Sequence, residues 1–277
     1  MTQKIRLDLL LVEKDLCDSR AKAQGLILAG KVLVNGQRVD KAGTLVSETA
    51  EIAVSEGLKY VSRGGLKLEK ALEVFQVNPS GVTCLDIGAA TGGFTDCLLQ
   101  NGAAKVYAVD VGYGQLAWKL REDPRVVVME KTNVRHLSAS MLADKLDLIV
   151  CDASFISLKK TLPVVAQAGF LSEKPQIIAL LKPQFEHKDY VDDPGFKGVV
   201  REAVHHKAII TGVLGSLQAA MPGWGLFGLD YSPITGPEGN IEFLIWLKRT
   251  ENEAITALEE PVEAVVTKGY AQFGRSG

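Results

Sequence analysis

Cysteine, histidine and aromatic residues are scarce in this sequence, and its net charge is close to zero. Among 277 residues there are four cysteines and four histidines, 6% are aromatic, and the formal net charge is −2. The cysteines show no CxxC spacing, so we interpret them as reduced core residues rather than as disulfides or metal ligands. The histidines form no ligand pattern, and we therefore expect no metal site.

Long apolar runs are also missing. No stretch reaches the roughly 18 apolar residues that a membrane span requires. Lys4, Arg6 and Asp8 interrupt any early apolar run of the kind found in signal peptides. Hydrophobic residues make up 47% and charged residues 23%, which is ordinary for a globular protein with a core of normal size. We expect a cytoplasmic protein with no membrane partner.

Positive charge is concentrated near the start of the chain. Residues 1–42 carry eight Lys and Arg against five Asp and Glu, a net charge of +3. A basic end on a near-neutral protein indicates contact with a polyanion. Few aromatic side chains interleave with these bases, which favours folded RNA over stacked single strands. No recognition-helix or zinc-finger motif points to DNA.

The first 57 residues have the pattern of a small α+β domain. Ser19 is a suitable N-cap for a helix, and Gly30 is suited to the position after that helix ends. Asn35-Gly36 predicts a tight hairpin turn, because both central positions of such a turn favour positive φ. The predicted elements are helices over 5–14 and 20–29 and strands over 31–34, 37–41 and 51–54.

From Val82 onward, apolar runs alternate with helical stretches. This alternation is typical of a parallel, doubly wound sheet. The last two strands flank a loop of Ser, Pro and Gly and predict a closing antiparallel pair. The predicted strands are 82–87, 106–109, 126–129, 146–151, 177–181, 226–231 and 241–247, and the helices are 66–75, 94–100 and 204–220.

A glycine-rich loop follows the first strand of this sheet. Its spacing is D-x-G-x-x-x-G-G, which differs from the G-x-G-x-x-G of dinucleotide sites and lacks the Lys-Ser/Thr of a phosphate loop. Glycines let the backbone turn sharply and approach a ligand at a helix N-terminus. The loop residues assigned to the site are Asp86, Gly88, Ala89, Thr91, Gly92, Gly93 and Phe94.

The acids beside this loop indicate a nucleoside cofactor. Asp86, next to the first glycine, suits the amino-acid end of S-adenosylmethionine better than a pyrophosphate. Asp110 and Val111 follow the second strand, and a carboxylate at that place can accept hydrogen bonds from both ribose hydroxyls. Thr132 and Asn133 follow the third strand and could bind an adenine. A tight strand–helix turn without a ligand is the alternative.

Charged residues also stand at the ends of later strands, where open α/β sheets place their sites. Asp152 follows one strand and Lys182 another. Lys182 could act as a general base on a hydroxyl, because burial and a neighbouring sulfonium both favour the neutral form of an amine. Lys67 and Glu242 are further candidates. Each of these residues alone is more often a solvent-exposed charge, and their value lies in occurring together.

Several segments resemble the TlyA (haemolysin A) family, over about residues 4–250. The resemblance implies an RNA-binding domain like that of ribosomal protein S4, followed by an FtsJ-like, Rossmann-like class I methyltransferase domain with a seven-stranded, mostly parallel sheet. We accordingly expect an RNA-binding domain over 1–57, a linker over 58–64, a methyltransferase domain over 65–250 and an acidic tail over 251–277. The matching segments are 62–68, 110–116, 123–127, 154–158 and 181–186.

The resemblance also implies roles for individual residues. FtsJ-like enzymes are known for a Lys-Asp-Lys-Glu tetrad, and Glu238 is a rival for its last place. We prefer Glu242 because it lies on a predicted strand. The tetrad then falls on Lys67, Asp152, Lys182 and Glu242. The implied RNA-facing residues are Arg6, Ser19, Arg20, Lys22, Gln24, Lys31, Asn35 and Arg63. Ordinary surface charges are the alternative for this second set.

The activity that the resemblance implies is S-adenosylmethionine-dependent methylation of a ribose 2′-hydroxyl, of a cytidine in the ribosomal RNA of ribosomal subunits. Two alternatives stay open. A non-catalytic ribosome-assembly factor is disfavoured by an intact cofactor motif and tetrad. A membrane-active haemolysin is disfavoured because the sequence has no apolar span and no basic amphipathic helix with a strong aromatic face.

Overall fold

The chain divides into two compact units, Met1–Lys59 and Tyr60–Gly277. The computed structural model describes residues 4–28, 30–54, 59–250 and 255–275. The sequence places the domain boundary at residue 57, which lies outside the described residues because 55–58 are not among them. Within the described residues, no helix is both long enough and apolar enough to cross a membrane.

The first unit packs two helices against two small antiparallel sheets. The strand order is β1-β4 in one sheet and β3-β2-β5 in the other. Leu7, Leu10, Leu11 and Ile27 lie fully inside its core. The elements are β1 (Lys4–Arg6), α1 (Leu7–Glu13), α2 (Arg20–Leu28), β2 (Val32–Val34), β3 (Gln37–Arg38), β4 (Leu45–Ser47) and β5 (Ile52–Val54).

Local signals in the first unit are confirmed, whereas one strand pair was not predicted. The Ser19 hydroxyl accepts a hydrogen bond from the Lys22 N–H at 3.3 Å and caps α2. Gly30, Asn35 and Gly36 have φ angles of 65°, 50° and 76°. The predicted first helix begins later than expected, because its first residues pair with β4 instead. Residue 29, the predicted end of α2, lies outside the described residues.

The second unit is built on a seven-stranded sheet with the order β11-β12-β10-β9-β6-β7-β8. β12 runs antiparallel to both of its neighbours, β10 and β11, and the other strand pairs of this sheet are parallel. The strands are β6 (Thr83–Ile87), β7 (Lys105–Val109), β8 (Val126–Met129), β9 (Leu146–Cys151), β10 (Leu171–Leu181), β11 (Trp224–Tyr231) and β12 (Phe243–Arg249). The predicted fold class is confirmed, including the closing antiparallel pair.

Helices cover both faces of this sheet. Along β6, Leu85 packs into one apolar layer and Cys84 into the other, so the strand is buried on both sides. The helices are α3 (Gly64–Val74), α4 (Gly93–Gln100), α5 (Trp118–Arg121), α6 (Leu158–Ala166), α7 (Pro183–Glu186), α8 (Ala203–Ala220) and α9 (Glu259–Gln272). The chain leaves β6 toward β7 on one side and returns as β9 on the other. Such a switch point opens a crevice at the carboxyl ends of the strands.

The sequence predicts an acidic tail over 251–277, but the described part of this segment forms a helix that packs on the second unit. Helix α9 buries Val262, Val265, Val266 and Tyr270 in the same core as the sheet. This spacing of three, four and eight residues is helical, but the glutamates around it conceal it in the sequence. Residues 251–254 and 276–277 lie outside the described residues.

His206 is fully buried on α8. Its Nδ1 lies 3.0 Å from the Tyr270 hydroxyl of α9 and 3.2 Å from the Glu202 carbonyl oxygen. Burial lowers the pKa of His206 to about 4. The imidazole is therefore neutral in the folded protein at ordinary pH.

We expect the stability of the second unit to fall in mild acid because of His206. The unfolded chain binds this proton near pH 6.5 and the folded chain only near 4. The free energy of unfolding is therefore highest above pH 6.5 and falls as the pH decreases toward 4, by up to about 3 kcal/mol. Denaturant unfolding at pH 7 and pH 5 measures this loss. His206→Asn should reduce it, and His136→Asn, at an exposed histidine, should not.

Candidate active site

Two adjoining cavities open at the carboxyl edge of the sheet, within the second unit. Their volumes are about 560 and 460 Å³. The first, called here the tetrad cavity, is lined by α3, the glycine-rich loop and the residue before β12. The second, the nucleoside cavity, lies beside the ends of β7 and β8. The two share Gly88, Ala90, Asp152, Ser154 and Phe155 as lining residues.

The glycine-rich loop passes too close to its neighbours to carry larger side chains. Gly88 has a φ of 82°, and a Cβ there would lie 3.0 Å from the Ala153 Cα. Gly92 has a φ of 96°, and its Cβ would collide with Leu120. A Cβ on Gly93, at the start of α4, would lie 2.9 Å from the Gly65 amide nitrogen. Glycine at these three positions lets the loop follow a path that a Cβ would block.

The predicted cofactor residues divide between the two cavities. Asp86 and Gly92 line neither cavity. Gly88, Ala89, Thr91, Gly93 and Phe94 line the tetrad cavity. Gly88, Asp110, Val111, Thr132 and Asn133 line the nucleoside cavity.

Asp86 is fully buried on β6 instead of facing a cavity. Its Oδ2 accepts hydrogen bonds from the Thr95 amide at 2.9 Å and the Thr95 hydroxyl at 2.7 Å. Its Oδ1 has no hydrogen-bond partner within the described part of the chain. Burial raises the pKa of Asp86 to about 7. A buried carboxylate oxygen without a donor is costly, so a positive group from a ligand would be favoured near it.

Asp110 ties two loops together at the nucleoside cavity. Its Oδ2 accepts from the Ala90 amide at 2.8 Å, and its Oδ1 accepts from the Gly112 amide at 2.7 Å. Each carboxylate oxygen can accept a further hydrogen bond. Asn133 has a local role as well, because its Oδ1 accepts from the Arg135 amide at 3.0 Å. The predicted ribose and adenine positions thus also hold the loops in place.

The four predicted tetrad residues all line the tetrad cavity, and they form two ion pairs. Lys67 Nζ lies 2.5 Å from Glu242 Oε2, and Lys182 Nζ lies 2.7 Å from Asp152 Oδ1. Lys67 comes from α3, Asp152 follows β9, Lys182 follows β10 and Glu242 precedes β12. Both lysines are less than a tenth exposed. Four elements far apart in sequence therefore bring their charges to one wall.

Two further oxygens fix the Lys182 amine. It donates to the Ser154 hydroxyl at 2.8 Å and to the Asp152 carbonyl oxygen at 3.1 Å. Ser154 was part of a matching segment but was not singled out in the sequence. Phe155 was also missed: it is 89% exposed, has a φ of 64° and lines both cavities. A strained, exposed aromatic residue is visible only in the fold.

Glu242, not Glu238, pairs with Lys67 among the described residues. Glu242 is 1% exposed, whereas Glu238 is exposed elsewhere on the same cavity wall. Glu242 lies just before β12 rather than on the strand, and its carbonyl oxygen accepts from the Ser232 amide at 2.8 Å. Arg275 braces two loops beside this cavity by donating to the carbonyl oxygens of Val200, at 3.1 Å, and Gly239.

In the first unit, a buried carboxylate organises three of the predicted RNA-facing residues. Arg6, Arg20 and Gln24 all donate to Asp8, with distances of 2.9 to 3.0 Å. Asp8 is fully buried, while the two arginine side chains are about half exposed. The hydrogen bond from Arg6 holds the pKa of Asp8 far below its usual range. These arginines are therefore fixed in place and not free surface charges.

The other predicted RNA-facing residues are scattered. Lys22 Nζ pairs with Asp18 at 2.6 Å, and Asn35 Oδ1 accepts from the Glu51 amide at 3.0 Å. Lys31 is half-buried just before β2. Arg63 belongs to the second unit, where it is exposed and lines the tetrad cavity. Ser19 and Asn35 thus have structural roles, whether or not they contact a ligand.

Comparison with known proteins identifies both units. Residues 60–249 match the model of the FtsJ-like methyltransferase family, and residues 5–52 match the S4 domain. A Mycobacterium tuberculosis protein, 16S/23S rRNA (cytidine-2′-O)-methyltransferase TlyA, is 43% identical over 97% of this chain and 100% of its own. Hemolysin A of Brachyspira hyodysenteriae is 41% identical over 87% of this chain and 98% of its own.

A solved structure has the same architecture. A hemolysin-like protein from Streptococcus thermophilus superimposes with a TM-score of 0.74 at 40% identity, covering 99% of this chain and 98% of its own. The chain belongs to the TlyA family, which joins an S4 domain to an FtsJ-like methyltransferase domain.

Proposed function

We propose that this protein transfers a methyl group from S-adenosylmethionine to the 2′-hydroxyl of a cytidine ribose in ribosomal RNA. The observation that carries the proposal is the pair of buried lysine–carboxylate contacts, Lys67–Glu242 and Lys182–Asp152, on one cavity wall. The relative with 43% identity is named for this reaction on 16S and 23S rRNA. The geometry favours catalysis over the non-catalytic assembly factor that the sequence left open.

The residues present fit S-adenosylmethionine. Asp110 has accepting capacity left for ribose hydroxyls, and Thr132 and Asn133 line the same cavity for the base. The unpartnered Oδ1 of Asp86 and the loop residues that line the tetrad cavity suit the amino-acid end. When bound, the sulfonium supplies an electrophilic methyl group and leaves as a neutral thioether.

The tetrad supplies proton transfer and positioning. The Lys182 amine accepts the proton of the ribose hydroxyl while the oxygen forms its bond to the methyl carbon. Asp152 and Ser154 hold the amine in place and favour the ammonium that results. The Lys67–Glu242 pair lines the same cavity and orients the acceptor ribose. Positioning of the two reactants accounts for much of the acceleration.

The S4 domain supplies affinity for folded RNA. Arg6 and Arg20 are held by Asp8 with about half of each side chain exposed, which preorganises them for phosphates. Lys22 and Lys31 add positive charge nearby in the sequence. We infer that the substrate is rRNA within ribosomal subunits and that the protein acts in the cytoplasm.

We expect cofactor binding to release a proton through Asp86. Its pKa is about 7 in the free protein, because burial raises it. A nearby ammonium favours the carboxylate, so its pKa falls on binding and affinity rises as the pH increases through 7. Calorimetric titrations at pH 7 in buffers of different ionisation enthalpy measure this proton. Asp86→Asn should lack that proton, and equal release in both proteins would contradict the assignment.

We expect Lys182→Ala to fold and bind both ligands yet lose methyl transfer by ~10²–10⁴-fold, the usual contribution of a positioned base. Lys182→Arg should be nearly as inactive, because a guanidinium stays protonated. Single-turnover rates with saturating RNA and cofactor measure this.

The matched control is Lys105→Ala, which removes a lysine paired with Asp144 at 2.7 Å at the start of β7, the opposite edge of the sheet. It should keep the wild-type rate. Substantial activity in the Lys182→Arg protein would instead assign Lys182 a purely electrostatic role.

We expect the S4 domain to control affinity for RNA but not for the cofactor. The double variant Arg20→Gln/Lys22→Gln should bind RNA more weakly and with a shallower salt dependence, because fewer phosphates are neutralised. Filter binding across a salt series measures both. Lys105→Gln/Lys145→Gln changes the charge equally in the second unit, at the amino-terminal edge of the sheet, and should leave the salt slope intact. Wild-type RNA binding by the first variant at every salt concentration would exclude this surface.

A further inference from the structure

Two histidines and an aspartate meet outside both cavities. His187 follows α7, Asp193 lies in the next loop, and His205 lies in the first turn of α8. One ligand atom from each lies within 4.8 Å of the others. His187 Nε2 and Asp193 Oδ2 are 3.7 Å apart. The sequence concealed this group, because its three members are separated by five and eleven residues of irregular chain and turn.

The His187 side chain places a buried nitrogen atom without a hydrogen-bond partner in this group, as far as the described residues show. The residue is 2% exposed, and its ring stacks on Phe196 with centroids 3.8 Å apart. Its Nε2 has no hydrogen-bond partner within the described part of the chain. A buried polar atom without a partner is costly and calls for a ligand or an explanation. The same Nε2 lies 3.7 Å from Asp193 Oδ2.

We propose that His187, Asp193 and His205 bind a divalent transition-metal ion, with zinc as the best match. Imidazole nitrogens and a carboxylate oxygen are ligands that zinc accepts, and three protein ligands leave a fourth position for water. Tetrahedral zinc bonds place ligand atoms about 3.3 Å apart. The 3.7 Å pair is already close to that value, and the partly exposed His205 and Asp193 can close the remainder.

The bound ion would fasten the chain next to the tetrad cavity. Helix α7 begins directly after Lys182, and His187 follows its last residue. The loop between His187 and α8 carries Gly198, which lines that cavity. Zinc would join the end of α7, this loop and the start of α8. Its role would be to hold a cavity wall, and the site does not depend on the proposed reaction.

Zinc titration of the full chain tests the site. The protein is freed of any affinity tag, stripped with a chelator and titrated with zinc chloride in a calorimeter. The four cysteines are buried and should not compete. We expect one zinc per chain and a higher melting temperature with zinc. Magnesium, which prefers oxygen ligands, should produce neither effect.

Two variants and one control locate the ion. His205→Ala and Asp193→Ala should each weaken zinc binding by at least ~10–100-fold, the loss seen even for outer-sphere partners of a metal. His136→Ala removes an exposed histidine elsewhere and should bind zinc normally. Both variants change partly exposed side chains, so melting of the metal-free proteins should match the wild type. If one variant fails to fold, the other decides.

The proposal is overturned if the wild type binds no stoichiometric zinc. It is also overturned if zinc binding persists unchanged in a folded His205→Ala or Asp193→Ala protein.

Discussion

The buried ion pair between Lys67 and Glu242 is the contact on which the tetrad cavity depends. The two residues are 175 positions apart, and the pair is less than a tenth exposed on either side. Removing one partner of such a pair leaves a charge without compensation in a low-dielectric place, at a cost of roughly 3–5 kcal/mol. The start of α3 and the segment before β12 must therefore meet. Gly236 leaves room for the Glu242 side chain, because a Cβ at position 236 would lie 2.7 Å from Glu242 Oε1.

Much of the fold could be predicted from the sequence because its signals are local. The strand from 126 to 129 and the strand from 146 to 151 have the predicted bounds, since each is a continuous apolar run between turns. The Asn35-Gly36 turn and the Ser19 cap follow from the chemistry of single residues. By contrast, β1 and β4 are three residues long and depend on each other across the sequence, so neither carries a pattern of its own.

The site was predictable as a set of residues but not as a set of contacts. Strand ends meet at one edge of a parallel sheet, which places Asp152, Lys182 and the glycine-rich loop together. Which lysine pairs with which acid depends on packing. The same limit applies to Asp86: its position on the strand was predictable, but the hydrogen bonds that its carboxylate accepts from Thr95 were not. It also explains Arg6 and Arg20, whose shared partner Asp8 has no marker in the sequence.

The brace formed by Arg275 bears on the order in which the protein is made. Ribosomes release a chain from its N-terminus, and domains fold as they emerge. The first unit and all seven strands of the sheet precede Arg275, which can contact the loops at Val200 and Gly239 only after α9 has been synthesised. Lys67 likewise has no Glu242 to pair with until that residue, 175 positions later, has been synthesised. A nascent chain can thus display its whole S4 domain before the residues that complete its reaction site have been synthesised.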